Sequence, residues 1–368
     1  LVPLGHTKGF GFYIQKLISM RGNFFLKILN RIFFAKPTLE YISDRIRFDA
    51  YLKYLNRLFQ KYKVKVILHS ETGFFNVGDF KNVITIYDLT PINFPEFHRE
   101  ETKDIQRRKL KFIAESAHGL ICISKSTKSD AIRHSKKIKE KKLVIGYPGL
   151  DRVFQHSFLN KKNNRPIFND LNLVLNNYKN RIKKKRYLFY YGTFEPRKNV
   201  IYLVKAFSDL QSEKKIPQDF KLVLSGGEGW GQVKKLIINY VKENYPISSR
   251  NNIIIMDYLS DEYIIEFIKN AYAVTYPSLY EGFGLPVLES MALGTPVICS
   301  ENSSLPEVGG GAVLYVNPTD FFDIKEKIKY LIDHPKLAQE LSKKGIIQSQ
   351  KFSWQKTANK IFKFFKEL

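Results

Sequence analysis

Short runs rich in Val and Ile alternate with helix-like segments along most of the chain, and this alternation constrains the fold most strongly. Strands that alternate strictly with helices form a parallel sheet covered by helices on both faces. The sequence therefore predicts an α/β protein made of two doubly wound halves. The strands expected in the first half are 64–69, 82–87, 119–123 and 143–146. Those expected in the second half are 187–191, 221–225, 252–256, 273–276, 296–299 and 312–315.

The spacing of the two series also predicts the domain organisation. A length of 368 residues fits two domains at about 150 residues each. A stretch rich in Asn, Lys and Arg interrupts the pattern before residue 187, and we interpret residues 171–186 as a linker. We therefore expect one domain over 1–170 and another over 187–351, followed by a helical segment over 352–368. In such folds ligands bind beyond the carboxyl ends of the strands, so the expected site is a cleft between the halves.

Charge and cysteine content narrow the classes of partner and site. Residues 1–186 hold 38 of the 60 Lys and Arg but only 15 of the 35 Asp and Glu. This asymmetry favours an anionic partner for the first half, namely a membrane surface, a nucleic acid or an acidic substrate. An AT-rich genome, which favours lysine codons, is the alternative explanation for the many lysines. The only two cysteines lie far apart in apolar runs, which excludes a disulfide scaffold and a cysteine zinc site and favours a reducing, cytoplasmic location.

The stretch YPSLYEGFGLPVLESMALGTPV, residues 276–297, carries the densest chemical pattern. A loop with Glu281 and Gly284 follows a predicted strand, and Pro286 suits the first turn of a helix. A helix N-terminus after a glycine-rich loop favours an anion such as phosphate. Glu281 and Glu289 instead accept hydrogen bonds from hydroxyls, and phosphate together with a polyol indicates a nucleotide sugar. The alternative is a plain strand–turn–helix with two surface glutamates.

A second stretch, YYGTFEPRKNV at residues 190–200, places Arg197 and Lys198 just after a predicted strand and before a helix. An arginine presents a planar fork to phosphate oxygens, and a lysine presents a point charge. Taken alone, the stretch more often indicates a solvated basic turn. Beside the glutamate loop it predicts a diphosphate site.

These stretches resemble the retaining glycosyltransferases of the GT4 family, which have the GT-B fold. Residues 192–199 (GTFEPRKN) resemble the donor-phosphate loop of the family, and residues 281–289 match its E-x7-E motif. Residues 86–98 and 123–128 resemble the acceptor domain of bacterial surface-polysaccharide mannosyltransferases. The resemblance implies two Rossmann-like domains facing a cleft. The N-terminal domain would bind the acceptor and the C-terminal domain the donor, and helix 352–368 would cross back to complete the first.

The resemblance also implies residue roles. Arg197 and Lys198 would bind the donor diphosphate, Glu281 would hold the hydroxyls of the donor sugar, and Glu289 would hold the ribose. The remaining donor-binding positions are Gly9, Gly11, Gly192, Thr193, Gly226, Tyr258, Leu259, Ser278, Phe283, Gly284 and Leu285. Family members generally need no metal, so we expect neither a metal nor another cofactor.

The first half departs from the family pattern in two places. No recognisable strand precedes Gly9, so either the start is trimmed or residues 1–4 are the stub of that strand. Tyr87 stands where the family usually has a histidine before the aspartate, here Asp88. We keep both as catalytic candidates. Tyr87 would preserve the sugar contact, change the donor preference or mark weak activity; the alternative is simple packing at a strand end.

We therefore predict transfer of a hexose, with GDP-mannose favoured as donor, to a glycan or lipid-linked acceptor in surface-polysaccharide synthesis. The amphipathic segment 21–36 and the basic segment 133–142 predict peripheral attachment to the anionic inner face of the membrane. Three alternatives stay open: a weak or inactive GT-B scaffold, a GT-B enzyme of other chemistry such as a phosphorylase or epimerase, and a nucleic-acid-binding protein. The sequence has no signature of a known nucleic-acid-binding module, so we expect no nucleic acid partner.

Overall fold

A computed structural model describes residues 43–69, 79–159, 182–246 and 250–368, without the side chains of 43–51 and 156–159. Gly9, Gly11 and the amphipathic segment 21–36 lie outside the described residues. The chain divides into two compact units. Unit one contains the described residues up to Ile92 together with Glu100–Pro148 and Trp354–Leu368. Unit two contains Asn93–Arg99 and Gly149–Ser353.

Strands and helices alternate through both units, as the sequence predicts. The first half comprises α1 (Ser43–Lys61), β1 (Val66–His69), β2 (Lys81–Ile86), α2 (Thr90–Asn93), α3 (Glu100–Ser116), β3 (Gly119–Cys122), α4 (Lys125–His134), α5 (Lys136–Lys139), β4 (Lys142–Ile145) and α6 (Arg152–Leu159). The second half comprises β5 (Tyr187–Tyr191), α7 (Val200–Ser212), β6 (Lys221–Ser225), α8 (Val233–Asn244), β7 (Ile253–Met256), α9 (Asp261–Asn270), β8 (Ala273–Tyr276), α10 (Leu285–Ala292), β9 (Val297–Ser300), α11 (Leu305–Gly309), β10 (Leu314–Val316), α12 (Phe321–Asp333), α13 (Pro335–Ser349) and α14 (Trp354–Glu367).

Each unit is built on a parallel sheet. Unit one has the strand order β1-β2-β3-β4, and unit two has the order β10-β9-β8-β5-β6-β7. All five residues of β5 are buried, as expected for a strand covered on both faces. From β5 the chain proceeds outward to β6 and β7, then returns to place β8 on the other side of β5. This reversal is a topological switch point, where open α/β sheets bind their ligands.

The last helix, α14, packs within unit one. Ile361 and Phe364 share one apolar cluster with Val83 of β2 and Ile121 of β3. Gly119 makes room for this packing, because a Cβ atom on it would lie 2.7 Å from Cζ of Phe364. The final segment of the chain is therefore a structural part of the first unit's core.

The predicted strands are all present, and their ends differ by no more than two residues from the expectation. The helix expected after Lys198 begins at Val200, because residues 196–198 form a separate 3-10 turn and Asn199 has a left-handed backbone with φ of 57°. The sequence pattern missed α13. Its buried positions include the small residues Ala338, Gly345 and Ser349, which give little apolar periodicity.

The boundary between the units lies earlier than the predicted end of the first domain at residue 170, and the described end of the predicted linker 171–186 belongs to unit two. Unit two already begins at Gly149, and α6 contacts α9 and α10 with Phe154 buried. The end of the predicted linker is also attached, since the Lys185 N–H donates to the carbonyl of Asn270 at 2.8 Å. These contacts place 149–159 and 182–186 with the second unit.

Among the described residues, none of the helices is both long enough and apolar enough to cross a bilayer.

Candidate functional site

The site begins where β5 ends, in the loop 192–199. Gly192 has φ of 143°, a conformation that favours glycine. The loop after β6 approaches it so closely that a Cβ atom on Gly226 would lie 1.9 Å from the carbonyl oxygen of Gly192. A 3-10 turn, Pro196–Lys198, then presents Arg197 and Lys198. The buried side chain of Asn199 fixes the end of that turn by donating to the carbonyl of Pro318 at 2.7 Å.

The carboxylate of Glu281 forms ion pairs with two basic side chains, one to each of its oxygens. Lys198 Nζ lies 2.6 Å from Oε1 of Glu281, and Arg197 Nη1 lies 3.1 Å from Oε2. Lys198 also donates to the Tyr276 hydroxyl at 2.7 Å, and its ammonium lies 5.1 Å from the centre of that ring. On the outer side, Arg197 Nε lies 3.0 Å from Oε2 of Glu195. The structure thus brings together three residues predicted to act on the donor.

The charge states in this cluster follow from burial and pairing. Burial opposes the negative charge of Glu281, but Lys198 and then Arg197 outweigh it and hold the pKa of Glu281 at about 2. The fully buried Ser278 lies beside the carboxyl group and lowers the pKa further. Burial lowers the pKa of Lys198, and the neighbouring Glu281 opposes that shift. Glu281 is therefore an ionised hydrogen-bond acceptor at neutral pH.

Serine hydroxyls hold the loop that carries Glu281. Ser303 Oγ accepts from the N–H of Glu281 at 3.0 Å. Ser304 Oγ lies 2.8 Å from the carbonyl oxygens of both Glu281 and Phe283, and its single hydrogen can be donated to either of them. Gly284, with φ of 105°, then turns the chain into α10, and a Cβ atom on it would lie 2.5 Å from Leu305 Cδ2. The loop is therefore a rigid support for its glutamate.

Glu289 occupies a different environment, inside α10. Its Oε2 accepts a hydrogen bond from the Tyr191 hydroxyl at 2.8 Å. Burial raises the pKa of Glu289 to about 7, and the charges of Asp261 and Asp151 add to the rise against the effect of Tyr191. The two glutamates of the motif thus differ in charge, since Glu281 is ionised at neutral pH while Glu289 is near its titration midpoint.

The other predicted donor-binding residues fall into two groups. Thr193, Tyr258 and Leu285 are exposed, and Leu259 is partly exposed, as a ligand contact requires. Phe283 is buried, and its ring packs edge-on against that of Phe352 with ring centres 5.6 Å apart, so its side chain is part of the hydrophobic core. A contact of Phe283 with the donor is therefore left to its backbone.

The two candidates of unit one have local structural roles. Asp88 Oδ1 accepts from the N–H of Thr90 at 3.0 Å and from its hydroxyl at 2.7 Å, which secures the start of α2. Tyr87 is half-buried beside the cluster that contains Val83, and Lys109 Nζ lies 5.9 Å from its ring centre. A catalytic role for either residue stays a prediction.

Sequence reasoning missed several residues that shape the site. Glu195, Ser303 and Ser304 hold Arg197 and the Glu281 loop, whereas Tyr191 and Tyr276 contact Glu289 and Lys198. A usable signal was present for the two tyrosines. Each is the last residue of its predicted strand, and the carboxyl ends of strands carry the ligand-binding groups in this class of sheet.

Comparison with known proteins finds a family match for the second half of the chain. Residues 176–348 match the family described as glycosyl transferases group 1. The O-antigen chain mannosyltransferase B of Escherichia coli is 28% identical over 346 residues, which cover 89% of this chain and 84% of that protein. The serotype-specific mannosyltransferase WbdA of Escherichia coli is 29% identical over 301 residues, which cover 78% of this chain but 34% of that longer protein.

A solved glycosyltransferase from Rickettsia africae ESF-5 matches the fold with a TM-score of 0.71 at 16% identity, covering 97% of this chain and 93% of that one. The two parallel sheets and this neighbour confirm the expected GT-B fold class. Residues 176–348 therefore match glycosyl transferases group 1, within a chain that resembles bacterial polysaccharide mannosyltransferases of the GT4 type.

Proposed function

We propose that this protein transfers a hexose, with mannose favoured, from a nucleotide sugar to a glycan or lipid-linked acceptor and retains the anomeric configuration. GDP-mannose is the favoured donor. The names of the two Escherichia coli relatives, both mannosyltransferases and one of an O-antigen chain, support this choice of sugar and acceptor class. The site geometry supports the type of reaction.

The observation that carries the proposal is the Arg197–Glu281–Lys198 cluster at the switch point of the second sheet. Cleavage of the bond between sugar and diphosphate leaves negative charge on the phosphate oxygens. Arg197 and Lys198, already held in place, stabilise that charge without reorganising during the reaction. Glu281, held ionised between them, accepts hydrogen bonds from the sugar hydroxyls and orients the ring.

Retention in this proposal needs no carboxylate nucleophile. The acceptor hydroxyl attacks the anomeric carbon on the face that the diphosphate leaves. Its proton passes to the departing phosphate oxygen, so the new glycosidic bond forms as the old one breaks. Neither step needs a metal ion, because Arg197, Lys198 and the positive end of α10 supply the charge at the phosphates.

A thermal-shift panel of GDP, UDP, dTDP, ADP and the matching nucleotide sugars, with and without EDTA, tests the donor site. A ligand that binds only the folded protein raises the melting temperature by mass action. We expect GDP and GDP-mannose each to raise the melting temperature. For each ligand the increase should be the same with EDTA as without it. Absence of a shift with every nucleotide would refute the donor site, and a shift abolished by EDTA would refute metal independence.

Turnover separates the enzyme from the inactive scaffold that the sequence leaves open. The identified nucleotide sugar is incubated with membranes that carry surface polysaccharide, and release of the nucleoside diphosphate is measured. Binding without release would favour the scaffold, with Tyr87 in place of histidine as the first residue to test.

We further propose that the basic first half attaches to an anionic membrane surface. Around α4 and α5, Arg133, Lys136, Lys137 and Lys139 are exposed side chains. Each basic residue near such a surface contributes about 1 kcal/mol to the free energy of membrane binding. This attachment would bring a lipid-linked acceptor to the enzyme.

Vesicle flotation tests the attachment. We expect the protein to float with anionic vesicles at low salt and to stay behind with zwitterionic vesicles or at high salt, because counterions screen the attraction. Changing Lys136, Lys137 and Lys139 to Glu should weaken flotation. The matched control changes three exposed lysines of unit two, Lys336, Lys343 and Lys351, and should float normally. Failure to float with anionic vesicles, or equal loss in both variants, would contradict the proposal.

A further inference from the structure

The hydroxyl of Tyr191 joins the end of β5 to the second turn of α10. Tyr191 is buried, and its ring stacks on Phe189 with ring centres 5.4 Å apart. Its hydroxyl lies 2.8 Å from Glu289 Oε2 and 3.1 Å from the carbonyl oxygen of Pro286. A phenol has one hydrogen to donate, and the shorter distance and the charge of a carboxylate direct it to Glu289. A rigid strand end thus sets the orientation of a helix side chain.

Glu289 depends on this contact because its other surroundings oppose its negative charge. The titratable groups that act on it are Tyr191 of β5, Asp151 before α6 and Asp261 at the start of α9. Burial and the two aspartates favour the neutral acid, and only the Tyr191 hydrogen bond favours the carboxylate. Within the described part of the chain, no other group donates a hydrogen bond to Glu289, and its Oε1 accepts none.

We propose that Tyr191 is a positioning residue, whose hydroxyl holds Oε2 of Glu289 so that Oε1 can accept hydrogen bonds from the ribose hydroxyls of a nucleoside diphosphate. This rests on the proposed function, in which Glu289 holds the ribose. An ionised carboxylate accepts hydrogen bonds on both oxygens, and its charge strengthens them. A protonated carboxyl carries a hydrogen on one oxygen and accepts from ribose hydroxyls more weakly. The hydroxyl of Tyr191 would therefore control both the strength and the pH dependence of nucleotide binding.

The test uses Tyr191→Phe, which removes the hydroxyl and keeps the stacked ring. Tyr187→Phe is the matched control, because Tyr187 lies at the other end of β5 and its buried hydroxyl donates only to the Phe267 carbonyl, at 2.7 Å. Binding of GDP and UDP is measured by calorimetry between about pH 6 and about pH 9. The diphosphate that binds is then compared with its 2′,3′-dideoxy form, which lacks both ribose hydroxyls.

The expected result follows from the sign of the pKa shift. Wild-type affinity should fall as the pH drops below about 7, because Glu289 takes up a proton there. Without the Tyr191 hydroxyl, the pKa of Glu289 rises further, so Tyr191→Phe should bind about tenfold more weakly near neutral pH and recover at alkaline pH. It should also discriminate less between ribose and dideoxyribose. Tyr187→Phe should keep the wild-type affinity and pH profile.

Three results would overturn the inference: unchanged binding in Tyr191→Phe, a loss that is the same at every pH, or the same change in Tyr187→Phe. Glu289→Gln provides a second route, since adding Tyr191→Phe to it should cause little further loss, and additive losses would also overturn the inference. If wild type binds no nucleotide, the donor site itself fails. If wild type binds and Tyr191→Phe binds identically, only the role of Tyr191 fails.

Discussion

Replacement of Arg197 by Ala should lower turnover by about 10²–10³-fold while the protein stays folded. The reason is that the guanidinium stabilises charge that appears on the leaving diphosphate as the sugar bond breaks. Its contacts include Glu195, in the loop after β5, and Glu281 and the carbonyl of Tyr280, at 3.2 Å, in the loop after β8. Loss of the side chain therefore leaves Glu281 still paired with Lys198.

The measurement is the initial rate of nucleoside diphosphate release from the nucleotide sugar that binds, together with the melting temperature. Arg186→Ala is the matched control, since Arg186 is half-exposed and lies away from the donor loops. Its Nη1 is 3.9 Å from Oδ1 of Asp219, which is a long ion pair. The control should keep both rate and melting temperature. A near-normal rate for Arg197→Ala would remove Arg197 from the catalytic residues, and a collapse of the fold would show that its role is structural.

Replacement of Glu281 by Ala should lower the free energy of unfolding by about 3–5 kcal/mol. Lys198 would then be a buried ammonium that has lost its carboxylate partner, and within the described part of the chain the Tyr276 hydroxyl would be its remaining side-chain acceptor. Changing both residues, as Lys198→Met with Glu281→Leu, removes the charges together and should restore most of the stability. Donor binding should be lost in the single and in the double variant.

Melting curves and nucleotide shifts for the three proteins make this comparison. Glu340→Ala is the control, because it breaks an exposed pair with Lys344 and should change the melting temperature little. A double variant no more stable than Glu281→Ala would contradict the buried-charge argument. A double variant that still binds the donor would contradict the functional one.

Acid unfolding adds an independent check on the same pair. The pKa of Glu281 is lowered in the folded protein from 4.5 to about 2, so its ionisation stabilises the fold above pH 4.5. That contribution should disappear progressively as the pH falls from about 4.5 to about 2. The double variant lacks the pair and should therefore lose less stability over this interval than wild type does.

The sequence predicts the parts of the site that lie in continuous motifs. Arg197 and Lys198 follow one strand, and Glu281 follows another, so the rule that ligands gather at the carboxyl ends of strands brings them together without any coordinates. The strands themselves were predictable because runs of Val and Ile buried on both sheet faces leave a plain signature.

The contacts of Tyr191 and Tyr276 could not be found in this way. Tyr191 and Glu289 are 98 positions apart, and Lys198 and Tyr276 are 78 apart. Both contacts depend on β5 and β8 being neighbours in the sheet, which is a property of strand order and not of any local pattern. The positions of Glu195, Ser303 and Ser304 depend in the same way on loop geometry.

The place of α14 in the core of unit one has a consequence for biosynthesis. Ile361 and Phe364 fill the cluster around Val83 and Ile121, yet the ribosome makes them only after all of unit two. During translation part of the apolar face of the first sheet therefore stays uncovered until α14 has been made. The second unit has its full sequence available before that point and can fold as a domain. The half of the protein that is synthesised first would be the half that matures last.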